Sequence, residues 1–136
     1  MNDPKKTDLS KFDNSWYDPG GKIRRVLWFL INASIFQNPV IPFSSLKVRL
    51  LRRFGAKVGH GVVIKPKVNI KYPWNLEISD NVWIGEGVWI DNLVQVTIQD
   101  NVTISQGAML LTGSHDYTKS SFDLIVGEIV VEAGSW

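Results

Sequence analysis

The 136-residue chain has room for one domain, and its 44% hydrophobic content is that of an ordinary globular protein. The formal net charge is +2 and the pI of about 8.9 derives mostly from the N-terminal half, a basic excess too weak to predict nucleic-acid binding. The sequence contains no cysteine, which excludes disulfides, thiolate zinc sites and a cysteine nucleophile.

The first 21 residues are polar apart from a few aromatic side chains. The start MNDPKKTDLS lacks the apolar core of a secretory signal, and the nearly apolar run 26–36 is too short to span a bilayer, so we predict a cytoplasmic protein. Residues 1–21 are expected to form an arm that packs against a larger body through Phe12, Trp16 and Tyr17.

Two short helices are predicted to complete an N-terminal region that ends at residue 57. Residues 22–36 are charged at the start and then apolar nearly all round, which predicts a buried helix with Leu27, Leu30, Ile31 and Ser34 at helical spacings. A second helix, from Ser44 to about Phe54, is expected to bury Leu46, Leu50 and Leu51 and to expose Lys47, Arg49, Arg52 and Arg53. This basic face fits either peripheral contact with anionic lipid, binding of a nucleotide-linked substrate, or a solvated helix surface.

From residue 58 onward, aliphatic residues recur at steps of six, six and eight. They are Val58, Ile64, Ile70, Ile78, Ile84, Ile90, Ile98, Ile104 and Leu110. A second apolar column follows most of them by four residues, and the segments ISDNVWIGEG and IQDNVTISQG repeat after 20 residues. Three short strands per 20-residue coil predict an all-β fold, a triangular parallel β-helix over residues 58–136, rather than an irregular β-sandwich.

The corners between the predicted strands follow a rule of their own. Three residues after each aliphatic of a six-residue step stands a residue that usually tolerates a left-handed backbone: Gly61, Lys67, Asn81, Gly87, Asn101, Gly107 and Gly113. Only Lys67 departs from the glycine or asparagine preference. A sharp turn at each of these positions is therefore expected.

The repeat is interrupted once. After Leu110 the next inward residue is Val131, a step of 21 residues where earlier coils use eight, so 13 extra residues are predicted. We expect a loop over 116–130 to leave the prism at this point. His115 stands where the last strand becomes this loop and has the side chain that best accepts a proton near neutral pH. Asp116 could orient the imidazole, but adjacent side chains of an extended segment usually diverge, so we expect it to lie at the surface or to contact an acceptor. His60 falls at a corner of the first coil and is expected to be exposed and without a role.

The segments SWYDPGGKIRRVLWFLI, LLRRFGAKVGHGVVIKPKVNIKYPWNLEI, NVWIGEGVWIDNL and above all ISQGAMLLTGSHD resemble the left-handed β-helix hexapeptide-repeat acyltransferases. Within them, the sequence resembles exopolysaccharide and colanic acid acetyltransferases of the maltose and galactoside O-acetyltransferase type. The resemblance implies a homotrimer with active sites between neighbouring prisms, which transfers acetyl from acetyl-CoA directly to a sugar or glycan hydroxyl without a metal. It makes His115 the general base and places Trp136 against the pantetheine arm, while Asn92, at the presumed outward turn of the second coil, is a substitute acceptor-binding residue beside Asp116.

Rival interpretations remain at this level. The fourth coil has only six residues, 131–136, where similar proteins continue, so the chain is predicted to be a C-terminally incomplete β-helix. A noncatalytic or truncated scaffold without a whole acetyl-CoA site is thus the alternative function. A γ-class carbonic anhydrase shares the fold but needs three histidine ligands, and the sequence has two histidines. The sugar, its hydroxyl, and whether it is free, nucleotide-linked or lipid-linked stay open.

Overall fold

The computed structural model describes residues 6–136, and the first five residues of the predicted arm lie outside the described part. Two 3-10 turns (Leu9–Lys11 and Pro73–Asn75), helix α1 (Lys22–Ile31), a π-helical turn (Asn32–Phe36) and helix α2 (Ser44–Arg53) accompany the strands. The strands are β1 (Lys57–Val58), β2 (Val63–Ile64), β3 (Asn69–Ile70), β4 (Leu76–Ile78), β5 (Trp83–Ile84), β6 (Trp89–Asp91), β7 (Val96–Ile98), β8 (Thr103–Ile104), β9 (Met109–Leu111), β10 (Gly113–His115), β11 (Leu124–Val126) and β12 (Ile129–Val131).

The short strands stack into three parallel sheets, one on each face of a prism. Face 1 is β1-β4-β7-β12, face 2 is β2-β5-β8 and face 3 is β3-β6-β9. Each strand of the first two coils pairs with its copy 20 residues later, as Ile64 does with Ile84 and Ile84 with Ile104. The predicted parallel β-helix is thus confirmed, while its left-handed sense stays an implication of the resemblance.

The repeating aliphatic residues form the core of the prism. Ile64, Ile70, Ile84, Ile90 and Ile98 are fully buried. Val58 and Leu110, at the two ends of the column, are partly exposed. Stacking of identical residue types every 20 positions gives a continuous core that one coil alone does not form.

The predicted corners are left-handed at six positions, including Lys67, whose φ is 60°. Gly134, three residues after Val131, follows the same rule with a φ of 77°. Gly113 does not: it lies in the extended strand β10, so the predicted corner at this position is wrong. Packing explains the glycine at this position instead, because a Cβ at residue 113 would lie only 2.8 Å from Leu93 Cδ1.

Side chains of the N-terminal helices cap the exposed backbone edge of the first coil. Pairing with the second coil uses Val63 and Lys65, whose N–H groups donate to Val82 and Ile84, so Ile64 between them points its backbone groups the other way. The Ile64 N–H donates to Ser44 Oγ at 3.0 Å. An unpaired strand edge is thereby satisfied within the chain.

The same capping continues around the first coil. The indole N–H of Trp28 donates to the Ile70 carbonyl at 2.7 Å, and Asn32 Oδ1 accepts from the Ile70 N–H at 3.2 Å. Lys47 Nζ donates to the carbonyls of Ile64 (3.4 Å) and Lys65 (3.0 Å). The helices thus form a layer over one end of the prism and share its hydrophobic core.

This capping role corrects the predicted helix faces. Lys47 was expected outside and is fully buried, because its ammonium group is needed at the coil edge, while Leu46 was expected inside and is exposed. Helix α1 buries Trp28 rather than Leu27 and Leu30, which are half exposed, so it is not the buried helix that its composition predicts. Across residues 6–136, no helix is long and apolar enough to cross a membrane.

The arm runs along the prism to the interruption of the repeat. The Tyr17 hydroxyl donates to the Leu93 carbonyl at 2.6 Å, and the Asp8 N–H donates to the Ser120 carbonyl at 2.8 Å. Phe12 packs against the imidazole of His115. Trp16, in contrast, is 58% exposed, so its predicted burial is wrong.

Candidate functional site

The interruption of the repeat is an antiparallel hairpin that projects from the corner between face 3 and face 1. Strands β10 and β11 pair with His115 opposite Leu124, and β12 then returns to face 1 with Val131 beside Ile98. This register agrees with the predicted insertion of 13 residues. The excursion begins at Gly113 and ends before Ile129, so it starts earlier and ends earlier than the predicted 116–130.

His115 is held in the hairpin by one hydrogen bond and two aromatic rings. Its Nδ1 lies 3.0 Å from the backbone carbonyl oxygen of Phe122. The ring of Phe122 stacks on the imidazole at 4.4 Å with an interplanar angle of 6°, and the ring of Phe12 lies at 5.6 Å. These contacts fix both the position and the plane of the imidazole.

The hydrogen bond also assigns the tautomer of His115. A carbonyl oxygen only accepts, so Nδ1 must carry the proton in the neutral imidazole. Nε2 is then the nitrogen with a free lone pair, which is the requirement for a general base. The carbonyl that makes this assignment belongs to Phe122, whose φ of 52° is in the left-handed region that non-glycine residues rarely adopt.

Asp116 orders the turn of the hairpin instead of orienting His115. Its carboxylate accepts from the backbone N–H of Thr118 at 3.0 Å and from the Thr118 hydroxyl, and it lies 3.8 Å from Lys119 Nζ. The Thr118 hydroxyl, followed by the Thr118 N–H, holds the pKa of Asp116 below its usual range. The residue is partly exposed at the hairpin turn, and its expected contact with an acceptor stays a prediction.

The structure corrects the assignment of Asn92. Its side chain is fully buried, so it is not at an outward turn. The Asn92 amide accepts from the Tyr72 N–H at 2.9 Å and donates to the carbonyls of Tyr72 (2.7 Å) and Asn75 (3.0 Å). The eight-residue step leaves these backbone groups without strand partners, and the buried amide satisfies them. Asn92 is therefore structural and unavailable to an acceptor.

Trp136 lies on the side of the prism opposite the His115 hairpin, at the rim of a groove along face 2. Its side chain is 93% exposed. The groove has a volume of about 880 Å³, and Lys65, Lys67, Trp83 and Trp136 are among its lining residues. Exposed indole rings and lysines suit a ligand with a ring system and phosphates, as coenzyme A has.

His115 and Trp136 are separated by the topology of one chain. The chain passes through faces 1, 2 and 3 in turn, and the hairpin leaves from the corner between faces 3 and 1. In a triangular prism that corner is the one opposite face 2, where the Ser135 carbonyl accepts from the Thr103 N–H and Trp136 follows. One prism alone therefore does not bring the two side chains together.

Comparison with known proteins gives the family. Over 130 residues, 95% of this chain is 38% identical to the protein named "Putative colanic acid biosynthesis acetyltransferase WcaF" of Escherichia coli (strain K12), and it covers 71% of that protein. The chain belongs to the colanic acid biosynthesis acetyltransferase family. The protein of the same name from Shigella flexneri matches with the same identity and coverage. No family model and no solved structure matches the chain.

The role of His115 as the base stays a prediction, and the groups that contact its imidazole were not predicted from the sequence. The Phe122 carbonyl carries no side-chain signature and becomes visible only when the hairpin is folded. Phe12 was predicted only to be an arm residue that packs against the body of the protein. His60 is exposed, as predicted. In the described part of the chain, no group of three or more His, Cys, Asp or Glu residues is placed to hold a metal ion.

Proposed function

We propose that this protein is an acetyl-CoA-dependent O-acetyltransferase that acetylates a sugar hydroxyl in exopolysaccharide biosynthesis, with His115 as the general base. The observation that carries the proposal is the hydrogen bond from His115 Nδ1 to the Phe122 carbonyl, which leaves Nε2 free to accept a proton. The membership of the acetyltransferase family supplies the reaction class. The names of the relatives supply the exopolysaccharide context.

The proposed mechanism is direct transfer. His115 Nε2 removes the proton of the acceptor hydroxyl as its oxygen attacks the thioester carbonyl, and the new C–O bond forms. Collapse of the tetrahedral centre breaks the C–S bond, and the imidazolium returns the proton to the leaving sulfur. Nδ1 stays protonated throughout, so the Phe122 carbonyl accepts one hydrogen bond before, during and after the transfer.

We place acetyl-CoA along the groove of face 2. Trp83 and Trp136 would contact the pantetheine arm or the adenine ring, and Lys65 and Lys67 would pair with phosphates. Because His115 is at the corner opposite this groove, the proposal requires a neighbouring copy to bring its hairpin to it. This supports a homotrimer in which the corner of one prism meets face 2 of the next, with Asp116 turned toward the acceptor.

The alternative is a noncatalytic β-helix with the same fold and no acetyl transfer. Calorimetry with acetyl-CoA separates the two functions, since the enzyme must bind this substrate. Absence of heat at millimolar acetyl-CoA would favour the scaffold. A location in the cytoplasm, where acetyl-CoA is made, belongs to the same proposal.

The decisive variant is His115→Ala, and His60→Ala is its matched control. Thiol release from acetyl-CoA in the presence of a panel of glycan acceptors should fall about 10²–10⁴-fold in His115→Ala. Affinity for acetyl-CoA should be unchanged, because the base is not a binding group for the donor. His60→Ala should retain full turnover. Turnover that survives in His115→Ala would refute the assignment of the base.

A further inference from the structure

The charges of the chain are segregated along its sequence. Residues 19–76 contain eleven Lys or Arg residues and no Asp or Glu, although the whole chain has 13 acidic residues. This stretch comprises both helices and the first coil. The small net charge of +2 therefore conceals a strongly basic end of the prism.

The outer face of α1 is apolar and uncovered. Successive residues of an α-helix are 100° apart, so Val26, Leu30 and Ile23 lie opposite the buried anchor Trp28. They are 52%, 56% and 78% exposed. Leu27 and Phe29 flank them and are also exposed. The helix thus buries one face against the coil and presents a second apolar face outward.

Two of the three cations of α1, Arg24 and Arg25, do not interrupt this face, while Lys22 is exposed at the first position of the helix. The guanidinium of Arg24 lies 4.1 Å from the ring centre of Trp74, and Arg25 Nε donates to the Gly20 carbonyl at 3.1 Å. Both are directed toward the body of the protein. Beyond Lys22, the outward face of α1 therefore consists of aliphatic and aromatic side chains.

The outer face of α2 supplies the positive charge. Lys47 and Leu51 point inward, which leaves Arg49 and Arg53 exposed on the far side of the helix. Leu46 lies next to Arg53 around the helix, and Phe43, just before the helix, is 64% exposed. Arg52, in contrast, is occupied with the carbonyls of Val58 and Gly59. Apolar side chains and exposed guanidinium groups thus share the outer side of the helical layer.

We propose that this outer surface of the helical layer (residues 22–53) docks on an anionic phospholipid bilayer. Exposed apolar side chains beside arginines, with no carboxylate in 58 consecutive residues, match the interface between lipid tails and acidic headgroups. A second copy of the same surface would be repelled by its own charge. The helical layer also covers one end of the prism. In an oligomer whose prisms have parallel axes, every copy of the layer would therefore face the same membrane plane.

This inference deepens the proposed function and rests on it for the identity of the acceptor class. A bilayer at this end would place the His115 hairpin, which follows the third coil, about 20 Å from the membrane surface, counting one helical layer and two coil spacings. The acceptor would be a lipid-linked oligosaccharide, with its acetylated hydroxyl several sugar units from the lipid.

Vesicle sedimentation of the full chain tests the docking. The protein should bind vesicles of roughly one-third phosphatidylglycerol in phosphatidylcholine, lose binding at high salt, and bind pure phosphatidylcholine far more weakly. Arg49→Glu with Arg53→Glu should weaken binding to the anionic vesicles at least about tenfold. Val26→Asn with Leu30→Asn should weaken it at least about tenfold as well, through lost apolar insertion.

The matched control variants carry charge reversals and apolar-to-asparagine substitutions outside the helical layer. Lys6→Glu with Lys11→Glu makes an equal charge change in the arm, outside the basic stretch 19–76, and Ile125→Asn with Val130→Asn removes exposed apolar residues at the hairpin and on face 1. Both should bind vesicles within about twofold of wild type. All exchanged side chains are largely exposed, so each variant should fold, which circular dichroism checks.

Equal binding of all variants, or no preference for anionic vesicles, would overturn the docking. A change in molar mass by light scattering in Val26→Asn with Leu30→Asn, with vesicle binding intact, would also overturn it and assign the surface to a second copy. His115→Ala distinguishes this inference from the proposed function: it should bind vesicles normally and lose acetyl transfer. Normal turnover in His115→Ala with normal vesicle binding would refute the base and leave the docking standing.

Discussion

The coils between residues 58 and 110 repeat the same structural positions, whereas the hairpin that follows them does not. In the coils every structural position occurs several times, so Ile84 packs between copies of itself at Ile64 and Ile104. In the hairpin every position occurs once. None of residues 113–128, all within the described part, is buried, and their geometry depends on a few hydrogen bonds and ring contacts.

Because of this difference, the coils should determine the stability of the protein and the hairpin its turnover. The coils bury a continuous aliphatic column, which supplies most of the hydrophobic free energy of folding. The hairpin buries little, and the stable coils to which it is joined offset the cost of holding Phe122 at a φ of 52°. A substitution in the coils should thus act on unfolding, and a substitution in the hairpin should act on turnover.

Ile84→Ala should give the largest effect on stability. Ile84 is fully buried in the middle coil, and truncation of such a side chain costs about 2–5 kcal/mol in the free energy of unfolding. Urea denaturation measures it. Trp83→Ala, the outward neighbour that is 58% exposed, is the control and should cost less than about 1 kcal/mol. Equal losses would contradict an inward column that carries the stability.

Phe122→Ala should separate turnover from stability within the hairpin. Loss of the stacked ring frees the imidazole to move, which should lower kcat about tenfold with little change in KM. The free energy of unfolding should change by less than about 1 kcal/mol, since the residue is only partly buried. The ¹⁵N shifts of the His115 ring should show a reduced population of the Nδ1–H tautomer. Unchanged shifts with lowered kcat would count against Phe122 as a positioning residue.

Tyr17→Phe should have a smaller effect, through the arm. The variant loses the hydrogen bond to the Leu93 carbonyl, which is worth about 1 kcal/mol. Burial raises the pKa of Tyr17 to about 12 from its usual 10.0. The folded state therefore holds the hydroxyl proton more tightly, so the contribution is full below pH 10 and is lost as pH rises toward 12. The stability advantage of wild type over the variant should therefore shrink as pH rises from 10 to 12, and a constant difference would contradict this pH dependence.

The sequence predicts the fold well wherever the repeat supplies several copies of one signal. The register of Val131 with Ile98 across the whole insertion was predictable, because the return to the column restores its period. Even Lys67 takes the left-handed corner that its position requires. Periodicity is a collective property, so one atypical residue does not alter it.

Residues whose structural role has no repeated copy in the chain were predicted poorly. Lys47 and Leu46 exchange their expected sides because the coil edge needs a donor, a demand that helix periodicity does not contain. Asn92 turns inward for the same reason, to satisfy backbone groups at an irregular step. His115 is predicted as the base from its motif and its place at the interruption, but the carbonyl that assigns its tautomer depends on a backbone turn seven residues later.

The central claim is that the hairpin of one prism meets the groove of another, with His115 and Trp136 in one active site. Co-expression of His115→Ala chains with Trp136→Ala chains, assayed at acetyl-CoA below the wild-type KM, tests it directly. In mixed trimers about one site in four receives an intact His115 from one subunit and an intact Trp136 from its neighbour, so about a quarter of wild-type turnover should return. Turnover no higher than the average of the two variants assayed alone would contradict a site shared between subunits.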